Sequence, residues 1–158
     1  EPGGEGAGTV LDVFVVRAPE RSHDPWPAFE RELAAALRGE LSVEQLVARA
    51  TRSSGLLRKV TPRVPVEVVI DNEASGRLTV LDIQAPDRPG TLHRITRCIS
   101  GLGLAIRLSK IATEAGRVVD SFYVSDARTG GKVTERGRLE RIRREVAASI
   151  EGEREGAT

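Results

Sequence analysis

The stretch from Leu78 to Asp126 sets the tightest limits on how this chain can fold. An alternating strand runs into Asp87-Arg88-Pro89-Gly90, an amphipathic helix follows, and Gly101-Leu102-Gly103 leads to two further strands. Apolar residues that recur every three or four positions share one face of a helix, whereas alternation marks a strand. Leu92, Ile95, Ile99 and Leu102 fall on one helical stripe, so the helix after Pro89 has a single inward face. Gly101 and Gly103 end it, because glycine accepts the left-handed backbone of a helix C-cap. Leu104 to Ala112 and Arg117 to Ser125 read as strands joined through Glu114-Ala115-Gly116, a hairpin signal.

The flanking segments extend this pattern. Val66 to Ile70 and Arg77 to Ala85 are strands around a turn cluster at Asp71 to Gly76, and so form a second hairpin. Gly130-Gly131 opens a loop before a last helix, Glu135 to Ile150, with Leu139, Ile142, Val146 and Ile150 inward. Upstream, the sequence predicts a strand at 9–17 and a helix at 27–38 with Phe29, Leu33, Ala36 and Leu37 on one face. Trp26, between Pro25 and Pro27, is expected to anchor the entry of that helix against the core. Ser42 and Gln45 fit a capping box that starts a short helix at 42–50. Thr51 to Arg63 reads as a basic linker suited to docking against another domain, and 151–158 as a disordered polar tail.

Val10-Leu11-Asp12-Val13-Phe14-Val15-Val16 is echoed by Val118-Val119-Asp120-Ser121-Phe122-Tyr123-Val124, each copy preceding a loop and an amphipathic helix. The chain therefore divides into the back half of one unit plus a linker, 1–63, and a complete unit, 64–150. Two strand–helix–strand halves fold most simply as an antiparallel sheet with both helices on one face. The expected class is α+β, a ferredoxin-like βαββαβ arrangement. The strand at Val66 to Ile70 either fills the open edge of the second unit or closes the first.

Composition excludes several functions. The 158 residues are 39% hydrophobic with few aromatics, so the core is mostly Val, Leu, Ile and Ala. A net charge of +1 makes no demand for nucleic acid or an anionic membrane. No apolar run approaches the roughly 18 residues of a membrane span. The single Cys98 rules out an internal disulfide and fits a reducing, cytoplasmic setting. With no Met anywhere, the chain is expected to be a piece of a longer protein.

The corner at Asp87 is suited to a small anion. Asp87 is placed as N-cap of the following helix, Pro89 in its first turn, and Gly90 where a ligand can approach the backbone. Thr91 and Leu92 then offer N–H groups at the positive end of the helix dipole, where an α-carboxylate is stabilised. Asp87 can pair with the ammonium of the same amino acid. The bland alternative is a capped corner that only starts a helix.

Other residues point to structure. Of the two histidines, His23 and His93, His93 lies off the apolar stripe and is expected in solvent; Cys98 is a packed helix thiol; no metal-ligand cluster occurs. Asp12 and Asp120, each before an aromatic, are expected at a solvent face or a hairpin end. Arg136, Arg138, Arg141, Arg143 and Arg144 alternate with Glu135, Glu140 and Glu145 at helical spacings, an ion-paired face rather than a nucleic-acid site.

These residues carry a resemblance. Leu78 to Asp126 resembles an ACT domain, through Asp87-Arg88-Pro89-Gly90, Arg94-Ile95-Thr96, Gly101-Leu102-Gly103, Lys110-Ile111-Ala112-Thr113 and Val119-Asp120-Ser121-Phe122-Tyr123-Val124. It is similar above all to the C-terminal ACT repeats of the bifunctional uridylyltransferase/uridylyl-removing enzymes that modify the nitrogen regulator PII. The resemblance implies a regulatory, non-catalytic module that senses an amino acid, glutamine first, with no cofactor. Its implied partners are the upstream nucleotidyltransferase and phosphohydrolase domains of the parent chain, PII through them, and a second copy in a homodimer of paired ACT units. The implied ligand residues are Asp87, Arg88, Pro89, Gly90, Thr91 and Leu92, with Ala105 at a place where relatives often carry a small polar residue. Ala105 cannot donate that hydrogen bond. The competing reading is a ligand-free dimerisation or docking module.

Overall fold

The strands and helices form where the periodicities change from two to about 3.6. The computed structural model describes Val13 and residues 24–54, 64–114 and 116–152; the expected strand at 9–17, but for Val13, lies outside them. The chain divides into two compact units, residues 1–42 and 43–158.

In the first unit, α1 spans Trp26–Leu37. Its start is held by the Trp26 N–H, which donates to Asp24 Oδ1 at 3.1 Å. Trp26 packs edge-to-face on Phe29, ring centroids 6.1 Å apart. Both rings remain about half exposed, and α1 buries no residue. The indole thus finds its partner three residues along its own helix, and the expected anchoring against a core is not what the structure shows.

The second unit runs α2 (Val43–Ser54), β1 (Glu67–Asp71), β2 (Thr79–Pro86), α3 (Thr91–Gly101), β3 (Leu104–Glu114), β4 (Arg117–Asp126) and α4 (Arg136–Glu151). Helix α2 is a turn longer than the sequence suggests. The Thr51 hydroxyl donates back to the Val47 carbonyl at 2.9 Å, which lets a polar residue continue the helix.

The sheet order is β1-β2-β4-β3, with every neighbouring pair antiparallel. Register fixes the inner face: Ile83 lies opposite Val68 on one side and Asp120 on the other, and Leu81 opposite Ile70 and Phe122. Helices α3 and α4 pack on each other and cover that face. Ile95 and Ile99 from α3 and Ile142, Val146 and Ile150 from α4 meet Leu81, Ile83, Phe122 and Val124. Burying each such side chain contributes about 1.5–3 kcal/mol. Cys98 and Leu102 pack at the margin of this core, whereas Leu92 is exposed beyond it.

Strand β1 pairs with β2, so the strand at Val66 to Ile70 completes the edge of the second unit. The element order after α2 is ββαββα; the edge that a βαββαβ unit fills with a last strand is filled here by the first. A polar latch holds this hairpin to the α4 approach: Asn72 Nδ2 donates to the Val133 carbonyl at 2.8 Å, and the buried Thr79 hydroxyl donates to Asn72 Oδ1 at 2.7 Å. The Val133 N–H closes the set on Thr79 Oγ1 at 3.0 Å.

Helix α4 starts as expected, with Glu135 accepting from the N–H groups of Gly137 and Arg138 at 2.7 and 2.6 Å. Its exposed face carries Arg141–Glu145 and Arg143–Glu140 pairs at 2.8 and 2.9 Å. Arg138 instead reaches Asp126, which also accepts from the Arg128 and Thr129 amides. Among the described residues, no helix is long and apolar enough to cross a membrane.

Candidate functional site

The sheet end opposite the Asn72 latch gathers the corner after β2 and the tip of the β3–β4 hairpin. Pro86 faces Arg117 in the register, and one step further the Asp87 N–H donates to the Gly116 carbonyl at 3.1 Å. Gly116 adopts a positive φ of 81°, as a tight hairpin tip requires. That bond sets the chain direction into α3.

The N-cap of α3 is Gly90, at φ 83°, with no side-chain cap. Asp87 is therefore not the cap the sequence suggested, and Pro89 lies in the turn before the helix rather than in its first turn. The cause is local. Thr91 N–H bonds back to the Arg88 carbonyl at 3.1 Å, closing a turn that carries the chain past Pro89 and begins the helix only at Thr91. The Thr91 amide is consequently spent, and Leu92 and His93 present the amides of the first helical turn that lack an intrahelical acceptor. These stand at the positive end of the α3 dipole.

A cleft of about 550 Å³ opens beside this helix start. Small-molecule sites typically enclose about 300–1,000 Å³. Asp87, Arg88, Gly90, Thr91 and Leu92 line it, as do His93 and Thr96 from α3. Ile111 and Thr113 of β3 and Val118 and Asp120 of β4 form the opposite wall, and Val47 of α2 closes one side. A Cβ built on Gly90 would stand 2.8 Å from Val47 Cγ1, so α2 rests directly against the corner. The Arg97–Glu44 pair, 3.2 Å, ties α2 to α3.

Of the seven residues assigned to a site, five line this cleft. Pro89 does not. Ala105 lies opposite Ser125 at the far end of β3, away from Ile111 and Thr113, and is outside the cleft.

Two residues that sequence reasoning set aside are inside it. Asp120 is 1% exposed, on the same sheet face as Phe122, not at a solvent face. Its Oδ1 accepts the Ala112 N–H at 3.2 Å, while buried Oδ2 has no partner among the described residues. Burial pushes the Asp120 carboxyl up to about 6, with the Ala112 amide opposing and the Asp87 charge adding to the rise. His93 is half-buried rather than solvated, and its Nε2 is likewise buried without a partner. The signal for Asp120 was present in the sequence: it stands two residues before Phe122, and residues two apart on a strand share a face. Cys98 is an ordinary packed thiol, pushed up chiefly by burial. Among the described residues no set of His, Cys, Asp and Glu stands together as metal ligands.

In sequence, the chain is similar to bifunctional uridylyltransferase/uridylyl-removing enzymes. It is 41% identical over 147 residues to that of Gluconobacter oxydans, covering 90% of this chain and 15% of the enzyme. Against the Rhodospirillum rubrum enzyme it is 34% identical over 148 residues, covering 90% and 16%, and against that of Azospirillum brasilense 34% over 149 residues, covering 90% and 16%. The chain thus spans about 15% of the length of these relatives and is homologous to one segment of them. No protein-family profile matches the chain, and no solved structure matches it.

Proposed function

We propose that this chain is the amino-acid-sensing regulatory portion of a PII uridylyltransferase/uridylyl-removing enzyme, an ACT-type unit of ferredoxin-like design whose ligand is glutamine. The observation that carries the reading is the cleft at the start of α3. There, the first residues of α3, whose amides lack intrahelical acceptors, line one cleft together with Asp87 and Asp120. An α-amino acid carries the complementary pair of charges, a carboxylate for the amides and an ammonium for the acids. The homology to one segment of these enzymes supports a part that acts on a catalytic portion elsewhere. Strand β1, seated at the edge where a βαββαβ unit has its last strand, supports the ferredoxin-like design.

Titration calorimetry of the full 158-residue chain with L-glutamine, and L-glutamate as control, tests this reading. Saturable heat with glutamine at millimolar concentration or below is expected. Absence of heat with every amino acid at millimolar concentration overturns it.

A second role has its own support. Strand β3 is an edge strand, and Leu108 and Ile111 on it are 50% and 44% exposed. Among the described residues this eleven-residue strand has no outer neighbour, and an edge strand of that length with exposed Leu108 invites pairing with a second copy, which accords with a homodimer that positions the catalytic portion and, through it, PII.

A further inference from the structure

We infer that Asp120 is a buried receptor for a primary ammonium group, set in the wall of the α3 cleft. This deepens the amino-acid reading above and rests on it for the identity of the guest, but not for the site. The site stands on three features of the fold.

First, Asp120 is almost wholly buried, yet only one of its two oxygens is satisfied. A buried acceptor without a partner bears the full cost of losing its water. Folded proteins leave few such groups, and those that persist ask for a cause. Burial here is not burial in the apolar core, because Asp120 also lines the cleft. The open oxygen is therefore supplied with a partner from the cleft or not at all.

Second, the charged neighbours favour a cation. Asp87 lines the same cleft and its negative charge acts on Asp120. Arg88 also lines it, but makes no hydrogen bond to Asp120; Arg94, one turn into α3, donates to Thr91 Oγ1 at 3.2 Å. Third, His93 Nε2 offers another buried polar atom in the same cavity, for a second polar group of the guest. These acids and His93 do not stand together as metal ligands, so an organic cation that spans the cleft fits where a metal ion does not.

An ammonium brings three donors and no acceptor. Seated at Asp120 Oδ2, it leaves the α-carboxylate of the same molecule for the amides at the start of α3. The side chain then extends along Ile111, Thr113 and Val118. Selectivity follows from chemistry: a guest whose amino group is acylated or missing leaves Oδ2 bare and loses affinity.

The test uses the full chain with carboxyl-13C-labelled aspartate, followed by NMR and calorimetry, in the wild type and Asp120→Asn. The probes are L-glutamine, glutaramate (the same molecule without its amino group) and propylammonium. The inference expects glutamine to bind, to lower the pH midpoint of the Asp120 carboxyl resonance, and to bind Asp120→Asn about tenfold or more weakly; glutaramate should lose a similar factor. Should Asp120→Asn fail to fold, the wild-type carboxyl midpoint with and without glutamine decides. Equal affinity for both proteins, or an unmoved midpoint, overturns the inference and leaves the amino-acid reading standing. If no amino acid binds but propylammonium moves the Asp120 resonance, the inference holds and the amino-acid reading falls. If neither class of probe perturbs Asp120, both fall.

Discussion

Two aspartates of β4 respond to acid in opposite directions. Arg138 and the Thr129 and Arg128 amides hold the Asp126 carboxyl well below the usual range, so its contribution to stability is present above about pH 4 and lost as pH falls further. Asp120 is raised from 3.8 to about 6, chiefly by burial, so the folded chain holds that proton more tightly than the unfolded one. Its ionisation costs stability as pH climbs from about 4 to about 6, and the cost persists above. The penalty at neutral pH is roughly 1–3 kcal/mol. Asp120→Asn should therefore raise the urea midpoint at pH 7.5 and make little difference at pH 4, where aspartic acid and asparagine are alike in charge. A less stable variant at pH 7.5 would show that Asp120 supports the fold instead of straining it.

At the level of the element, the corner before α3 depends on Gly90 twice. Its φ of 83° is a conformation that residues with a Cβ adopt at a cost of about 1–2 kcal/mol, and a Cβ there would strike Val47 of α2. Gly90→Ala should lower thermal stability and weaken glutamine binding together, because α2 rests against the corner that lines the cleft. Adding Val47→Ala should recover the part due to collision and not the part due to the backbone, which a double-mutant cycle by thermal melts separates; no recovery would mean that α2 yields without cost. The helices and strands themselves were legible from periodicity, as Ile95 and Ile99, or Leu81 and Ile83, make plain. The start of α3 was not, because Asp87-Arg88-Pro89-Gly90 satisfies the preferences of a capped helix and of a turn equally. Only the Thr91 to Arg88 bond distinguishes them. Asp120 was missed for another reason: an acid on a strand is usually on the solvent face, and here it is buried on the inner face beside the cleft at α3.

For the unit as a whole, the sheet has two edges of different character. Strand β1 is latched through Asn72 and Thr79 to the segment before α4, whereas among the described residues β3 has no strand on its outer side. If β3 pairs with its counterpart in a second copy, light scattering should give twice the 17.0-kDa chain mass, and Leu108→Lys should shift the population toward the monomer. A monomer at every concentration would leave the β3 edge for some other partner. The bond between the Asp87 amide and the Gly116 carbonyl has a different reach. It joins the two lips of the cleft, which come from distant parts of the chain and meet only once β2, β3 and β4 are zipped together. The unfolded chain accordingly holds no vestige of the cleft, and any guest is bound by the native state alone. Occupancy at a hundred times the dissociation constant then adds about 2.7 kcal/mol to the unfolding free energy. The cleft is its own reporter: a thermal scan across a panel of small molecules will rank its guests without a label and without the rest of a parent enzyme.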